Sequence, residues 1–397
     1  MPTRSPVPAL TGRGLLRTVL TRGAVGRLLL GWAAVGALAL AAPLLAAPLP
    51  SPALALVLAA IVAVIVIAAG GVVQQAEALA RRLGDPYGTL VLTLSIVVIE
   101  VVLIAAVMLG PGEHAVIARD SVMAVSMIIM NLVLGLCLLV GGLRHGSLAV
   151  HRVGTSAYLV MLVALAALAF ALPATLGEGG SYGPAQALVI AGLTVALYAL
   201  FLWRQMGAQA AEFQEVTVPT VGVRAGREAE PGDGAATAAL REILAVYRGE
   251  LLARSALLIA MVLPIVLLSH DMAGLLDDGL APLGAPVALG GVLIAMIVFT
   301  PESLTAVRAA VNGEMQRVVN LCHGALVSTL ALTIPTVLVI GLVTGTPVML
   351  AESPTNLLLL GVTLAVSAIS ASAPRTTAVH GAVHLLLFGG YALMLFS

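Results

Sequence analysis

Long apolar stretches separated by short polar intervals run through almost the whole chain. With a window of about 20 residues, the length that crosses a hydrocarbon core about 30 Å thick, this pattern predicts eleven membrane spans. Helices are predicted rather than strands, because backbone groups in lipid must bond within their own segment and no ten-residue alternation of the barrel type occurs. The predicted spans are 28–48, 51–73, 87–109, 120–142, 156–173, 184–203, 251–269, 285–309, 318–343, 355–373 and 377–396.

The spans on the two sides of the longest polar interval are spaced alike. Five spans within 51–204 are echoed, at offsets of 193 to 200 residues, by five spans within 251–397. Because five is odd, the second set has to enter the membrane from the opposite side, as in the inverted-topology repeats of secondary transporters. A chance run of evenly sized spans is the alternative. The predicted fold class is an all-α integral membrane protein with eleven transmembrane helices, made of two inverted five-helix repeats and one extra N-terminal helix.

Domain boundaries follow from this spacing. Residues 1–50 are predicted to form a cytoplasmic N-terminus and an extra anchor helix, whose apolar part is too long for a signal peptide. Residues 51–204 form the first repeat and 251–397 the second. The interval 205–250 is rich in Gly, Pro, Ala and charge and predicts a flexible cytoplasmic linker, followed by a short surface helix over REILAVYRGELLAR.

Composition agrees with a membrane protein and not with a nucleic-acid-binding one. The chain is 60% hydrophobic and 10% charged, with a mean hydropathy of +1.10. All 19 basic residues are arginine, and the span list puts 18 of them on one side, leaving only Arg119 on the other. By the positive-inside rule, the N-terminus is cytoplasmic and the C-terminus faces outside. The predicted location is the inner or plasma membrane, with the lipid bilayer as partner.

Two carboxylates are placed where the flanking sequence is apolar. Of 19 acidic residues, only Glu100 and Glu302 fall well inside predicted spans, and their separation of 202 residues matches the repeat offset. A charged carboxylate at the bilayer centre costs at least about 2.5–3.5 kcal/mol, so a matched pair indicates a shared midplane site for cations. A neutral acid hydrogen-bonded within the bundle is the structural alternative for each.

Other residues that can supply oxygen ligands lie near the two acids in the sequence or in the following span. Thr300 precedes Glu302, and Pro301 is expected to free carbonyl groups near 297 and 298. The following span of each half adds Asn131 or Ser328, which are near equivalents under the offset. Carboxylates, carbonyls and hydroxyls are the ligands of hard cations such as Ca²⁺, although polar residues that brace helix packing are the ordinary reading.

Histidines and cysteines give weaker signals. His323 is a candidate proton relay, with a packed, hydrogen-bonded imidazole as the alternative. His380 and His384 share a helix face, but two histidines without a third ligand are weak evidence for a metal. Cys137 and Cys322 lie in apolar runs and indicate buried packing residues. The chain has no HExxH or Gly-x-Ser-x-Gly motif, so neither an enzyme nor a cofactor is predicted.

Three segments of the chain are distinctive: GDPYGTLVLTLSIVVIEV, ARDSVMAVSMIIMNLVLGLCLLVGG and TPESLTAVRAAVNGEMQRVVNLCHGALVSTLALTIP. They resemble the two α-repeats of the ChaA-type calcium/proton antiporters of the calcium/cation antiporter superfamily. The resemblance implies exchange of cytoplasmic calcium, or of sodium or potassium, for external protons by alternating access. It also implies that Glu100 and Glu302 are shared cation and proton ligands, with Asn131 and Ser328 as nearby ligands. A cation-selective channel using the same acids is the remaining alternative.

Overall fold

The computed structural model describes a bundle of helices. It covers residues 18–45, 50–83, 115–207, 209–214, 233–280 and 287–396, together with Val97, Val101, Ile104, Ala105 and Met108. The described helices are α1 (Arg22–Leu45), α2 (Ser51–Leu83), α3 (Ile117–Met127), α4 (Leu134–His145), α5 (Arg152–Ala166), α6 (Pro173–Leu176), α7 (Pro184–Met206), α8 (Asp233–Leu280), α9 (Val287–Asn312), α10 (Met315–Thr344), α11 (Pro354–Ser372) and α12 (Ala378–Met394). The π-helix π1 (Ile128–Val133) joins α3 to α4, π2 (Ala167–Ala171) follows α5, and a 3₁₀ turn covers Ala210–Phe213.

The protein is an all-helical integral membrane protein. Among the described residues, eight helices are long and apolar enough to cross a membrane, and α12 is a shorter apolar helix. Every predicted span except 87–109 coincides with a described helix or helical run; 87–109 lies outside the described residues apart from five positions. Within the described ranges, β-structure is limited to three isolated bridges formed by loop residues.

Helix α8 differs from the prediction for 205–250. It runs without a break from Asp233 to Leu280, so the segment predicted as a separate surface helix is continuous with the following span. Arg254 stabilises this junction: its Nε lies 3.0 Å from Glu250 Oε1, and its Nη1 donates to Gln75 Oε1 of α2 at 3.0 Å. An (i, i+4) ion pair in the middle of the junction favours a continuous helix. Residues 215–232 lie outside the described part.

Helix α1 lies on the outside of the bundle, against α2 and α8. Its close approach to α8 uses Gly31, where an added Cβ would lie 3.1 Å from Pro264 Cγ, and Trp32, whose indole N–H donates to the Ala260 carbonyl at 3.1 Å. The most deeply buried of the candidate spans are α3–π1–α4 and α10. The core of the bundle therefore lies around these two helical runs.

Two groups of loops define the two ends of the bundle. At the arginine end, Leu148 and Thr376 exchange backbone hydrogen bonds of 3.1 and 2.8 Å. His145 also contacts the Val311 carbonyl there, at 3.0 Å. We call the other end the Glu352 end, where Leu350 N donates to Gly180 O at 3.0 Å. Among the arginines that the structure describes, Arg144, Arg152, Arg317 and Arg375 flank the loops of the arginine end, and Arg119 lies at the Glu352 end.

These loop contacts fix the direction of the helices. Helix α5 begins at the arginine end and leads through π2 and α6 to the Glu352 end, whereas α11 begins at the Glu352 end and finishes at the arginine end. The run α3–π1–α4 finishes at the arginine end, and α10 begins there. Helix α7 begins at the Glu352 end, whereas α12 begins at the arginine end, so these two helices also run in opposite directions. Each of these helices in 115–207 thus runs opposite to the helix about 200 residues later.

Glu352 is a buried acid in the loop before α11. Its carboxylate accepts hydrogen bonds from Asn356 Nδ2 and from Ser353 N, and its Oε1 lies 3.8 Å from Arg119 Nε. Burial raises the pKa of Glu352; Asp120 acts in the same direction, while the hydrogen bonds and Arg119 oppose it. Tyr391 of α12 also faces these two acids. The folded protein therefore holds a proton on Glu352 more tightly than the unfolded chain does.

The change Glu352→Gln is expected to flatten the dependence of stability on pH. When a carboxyl has a higher pKa in the folded state, stability falls as pH rises from the unfolded pKa through the folded one. The variant should therefore unfold at a higher temperature than the wild type at pH 8, by on the order of 2 °C, and at a similar temperature near pH 4. Thermal unfolding in detergent checks this. Glu178→Gln, at an exposed loop position of the same end, is the control, and equal slopes for both variants and the wild type would contradict the prediction.

Candidate cation-binding site

Glu302 lies in the middle of α9 with its side chain in the interior of the bundle. The residue is 7% exposed, and its helix packs against α3, π1, α4 and α10. Thr300 and Ser303 flank it, and their hydroxyls donate to the carbonyls of Met296 and Phe299, four residues back, at 2.7 Å each. Their hydrogens are thereby used within the helix, and their oxygens keep acceptor capacity. Helix α9 continues across position 301, so the proline does not end it.

Glu100 lies outside the described residues, as do its neighbours at 98 and 99. The convergence of the two carboxylates therefore stays a prediction.

Asn131 is fully buried on π1, in the core of the bundle. Its Nδ2 donates to Thr363 Oγ1 of α11 at 2.8 Å, and its Oδ1 lies 3.1 Å from His384 Nδ1 of α12. A π-turn inside an α-helix inserts one extra residue per turn and is frequent at functional sites. The predicted polar ligand of the first half thus lies on an irregular turn and is held by two helices of the second half.

Ser328 lies on α10, the sequence counterpart of α3–π1–α4, and is also buried. Its Oγ donates to the Gly324 carbonyl at 2.8 Å and lies 2.7 Å from the hydroxyl of Tyr198 on α7. The adjacent Thr329 is fully buried as well. Both helices with a predicted polar ligand pack against α9, which carries Glu302. The structure therefore brings the helices of Glu302, Asn131 and Ser328 together.

His323 lies on α10, one turn before Ser328. Its ring stacks on Tyr158 with centroids 6.3 Å apart, and its Nδ1 lies 3.3 Å from the Val319 carbonyl. Tyr158 in turn accepts a hydrogen bond from Gln205 at 2.7 Å. His323 Nε2 is buried and has no hydrogen-bond partner among the residues that the structure describes. This geometry is compatible both with a packed, hydrogen-bonded imidazole and with a proton relay. The role of His323 in proton transfer therefore stays a prediction.

The two histidines of α12 have different surroundings. His380 Nδ1 accepts from the backbone N–H of Thr377 at 3.1 Å, at the start of the helix, whereas His384 contacts Asn131. Cys137 and Cys322 are buried free thiols. Within the described ranges, no group of three or more His, Cys, Asp or Glu side chains could hold a metal. Sequence reasoning gave no role to Tyr198 or Thr363, and it treated His384 as a weak metal candidate.

Comparison with known proteins assigns the family. The model of the sodium/calcium exchanger protein family matches two segments of the chain, 53–207 and 254–397. The chain belongs to this family. Proteins of the sodium/calcium exchanger family are transporters and not enzymes, and they exchange cations without a cofactor. This protein is therefore a multi-pass membrane exchanger of cations.

Two relatives of the exchanger family are similar over most of their length. The candidate ionic transporter y4hA of Sinorhizobium fredii is 34% identical over 325 residues, which are 81% of this chain and 83% of the relative. The sodium-potassium/proton antiporter ChaA of Escherichia coli is 30% identical over 326 residues, which are 82% of this chain and 85% of ChaA. The resemblance to ChaA-type antiporters read from the sequence is confirmed.

Solved structures of exchangers have the same fold. The structure of YfkE matches with a TM-score of 0.65 at 16% identity, covering 93% of this chain and 99% of YfkE. The H⁺/Ca²⁺ exchanger CAX matches with a TM-score of 0.58 at 15% identity, covering 94% of this chain and 89% of CAX. At such low identity, these similarities show only that the fold is shared.

Proposed function

We propose that this exchanger is a secondary cation/proton antiporter that exports cytoplasmic Ca²⁺ in exchange for external protons by alternating access. The observation that carries the proposal is Glu302, a buried carboxylate in mid-helix, on a helix packed against those of Asn131 and Ser328. An acid at such a depth is costly to keep unless it binds a cation or a proton. Glu100 is the proposed second carboxylate, and Thr300 and His323 complete the proposed set of cation and proton groups.

The proposed architecture has eleven transmembrane helices, ten of them in two inverted five-helix repeats. Three observations support it: the family model matches two segments of similar length, the described counterparts run in opposite directions, and the contacts between halves come in matching pairs. Thus α12 packs on α4 and π1, and α7 packs on α10. The arginines collected at one end support a cytoplasmic N-terminus and an external C-terminus. Residues 205–250 would then be cytoplasmic.

The mechanism follows from the charge of the two proposed carboxylates. Two like charges in a medium of low dielectric are unfavourable together, so the empty pair takes up protons or one divalent cation. Because one pocket takes either load but not both, cation and proton occupancy exclude each other. Movement of an empty, doubly charged pair through the membrane is more costly than movement of either loaded form. Mutually exclusive occupancy of the pair then couples the two fluxes.

Sodium/proton or potassium/proton antiport at the same site is the second candidate. The similarity to ChaA, named for sodium-potassium/proton antiport, favours it, whereas the similarity of fold to CAX, named for H⁺/Ca²⁺ exchange, favours calcium. A monovalent cation leaves one negative charge of the pair unmatched, which one retained proton would compensate. The two candidates therefore differ in the number of protons exchanged per cation.

Transport by everted membrane vesicles with an imposed pH gradient tests the proposal. We expect Ca²⁺ added to the medium to collapse the gradient at once, with K⁺ and Na⁺ as parallel additions. If K⁺ or Na⁺ collapses the gradient and Ca²⁺ does not, the protein is a sodium/proton or potassium/proton antiporter, and the calcium proposal is overturned. A cation current without stoichiometric movement of protons would instead indicate a channel and overturn antiport.

A further inference from the structure

The last helix of each half reaches across to the other half and contacts a proposed cation ligand there. Tyr198 of α7 contacts Ser328 of α10, with 2.7 Å between their oxygens. His384 of α12 contacts Asn131 of π1, with 3.1 Å between His384 Nδ1 and Asn131 Oδ1. All four side chains are buried. The first half thus holds a ligand of the second, and the second half holds a ligand of the first.

The hydrogen-bond pattern around Asn131 fixes the role of His384. Since Asn131 Nδ2 donates to Thr363 Oγ1, the atom that faces His384 is the amide oxygen, which can only accept. His384 Nδ1 must therefore carry the proton and donate it. Oδ1 has two lone pairs, so one remains for a cation after His384 has used the other. His384 Nε2 is buried and has no hydrogen-bond partner within the described part of the chain. The histidine also makes a backbone hydrogen bond with Met130, the residue next to Asn131.

The same reasoning applies to Ser328. Its single hydroxyl hydrogen is donated to the Gly324 carbonyl at 2.8 Å, so Tyr198 is the donor in the contact between the two hydroxyls. Ser328 Oγ then keeps one lone pair for a cation. In both halves, a donor from the opposite half uses one lone pair of the ligand oxygen and leaves one free.

We propose that Tyr198 and His384 are positioning residues of the cation site, each fixing the ligand oxygen that the opposite half supplies. The inference rests on the proposed function, in which Asn131 and Ser328 bind the cation. An oxygen held in place by a neutral donor does not lose rotational freedom when the cation arrives, so binding is stronger. Because each donor belongs to the other half, a displacement of one half against the other changes both ligands at once.

Kinetics of the variant Tyr198→Phe test the first pair. The change removes the hydroxyl and keeps the ring. We expect the KM for Ca²⁺ in everted vesicles to rise about 3- to 10-fold, which is the effect on affinity of losing one hydrogen bond. The maximal rate per folded molecule should change by less than about twofold. Tyr182→Phe is the matched control, because the Tyr182 hydroxyl donates to the Leu168 carbonyl at 2.6 Å near the Glu352 end. An unchanged KM in Tyr198→Phe, or a fall in folded protein alone, would assign Tyr198 to packing and overturn the proposal.

Two variants of His384 test the second pair. His384→Leu removes the donor and should raise the KM for Ca²⁺ by about the same factor as Tyr198→Phe, while His384→Gln keeps an N–H that can donate to Asn131 and should recover part of the loss. If His384→Leu fails to fold, His384→Gln decides alone: its KM should lie within about threefold of the wild type. Recovery of folding without recovery of KM would count against a positioning role.

A double-mutant cycle separates positioning from an independent effect. If Tyr198 acts through Ser328, then Tyr198→Phe should add nothing to the KM of Ser328→Ala, whereas independent effects would multiply. Multiplied effects would overturn the inference. Failure of the proposed function has a different signature, because Glu302→Gln would then retain exchange. An inactive Glu302→Gln together with an unchanged KM in Tyr198→Phe would leave the function standing and remove only the positioning role.

Discussion

Replacing Glu302 by glutamine is expected to reduce cation/proton exchange by about 100-fold or more, with little loss of folded protein. A carboxylate in contact with a divalent cation contributes several kcal/mol even at an effective dielectric constant of about 20, and each 1.4 kcal/mol corresponds to a factor of about ten. Glutamine has nearly the same shape, but it carries no negative charge and cannot bind and release a proton during transport. Both the cation and the proton therefore lose a ligand. The measurement is the collapse of a pH gradient in everted vesicles, normalised to the amount of protein.

The control for this prediction is a carboxylate on a short connection outside the core. Glu314 lies between α9 and α10 and pairs with Arg317 at 2.9 Å, at a partly exposed position. The variant Glu314→Gln should exchange at close to the wild-type rate, because exposed ion pairs contribute little to stability. Exchange at more than about a tenth of the wild-type rate in Glu302→Gln would remove Glu302 from the site.

The positions of the helices could be predicted from the sequence because each crossing of a membrane needs about 20 apolar residues. The prediction for 205–250 was less accurate, since polarity reports contact with water and not secondary structure. Residues from Asp233 to Leu280 are helical. Within this helix, Arg254 pairs with Glu250 and also donates a hydrogen bond to Gln75 of α2. A window of mean hydropathy does not detect such pairing.

The site could be predicted only in part. Glu302 is a candidate because a carboxylate within an apolar run is conspicuous, and Asn131 and Ser328 are candidates because they are near equivalents at the repeat offset; their role as ligands stays a prediction. Tyr198 and Thr363 gave no such signal, since tyrosine and threonine are ordinary in membrane helices. The contact of His384 with Asn131 joins residues 253 positions apart, and only the packing of α12 on π1 brings them together. Spacing along the helix places His380 on the same face as His384 and gives no indication of the contact with Asn131.

The close packing of α4 and α12 depends on glycines. At Gly381, an added Cβ would meet the backbone of α4 at Leu139 N and Gly135 O, closer than real Cβ atoms come to such atoms. At Gly135, an added Cβ would lie 3.0 Å from the Cβ of His384. Small residues at such positions let two membrane helices approach to backbone contact. The contact between His384 and Asn131 lies along this same interface.

The variant Gly381→Ala is therefore expected to destabilise the protein by about 1–3 kcal/mol, the usual cost of overpacking a core, and to reduce exchange. The added methyl meets backbone atoms, which cannot rotate away, so α12 must shift outward and carry His384 from Asn131. Gly389→Ala and Gly390→Ala on the same helix are the controls, since an added Cβ at either position has no heavy atom within 4 Å. Both controls gain helix propensity and should be neutral or stabilising. Thermal unfolding in detergent and vesicle exchange measure the two effects; a Gly381→Ala protein as stable and active as these controls would contradict the expected role of the interface.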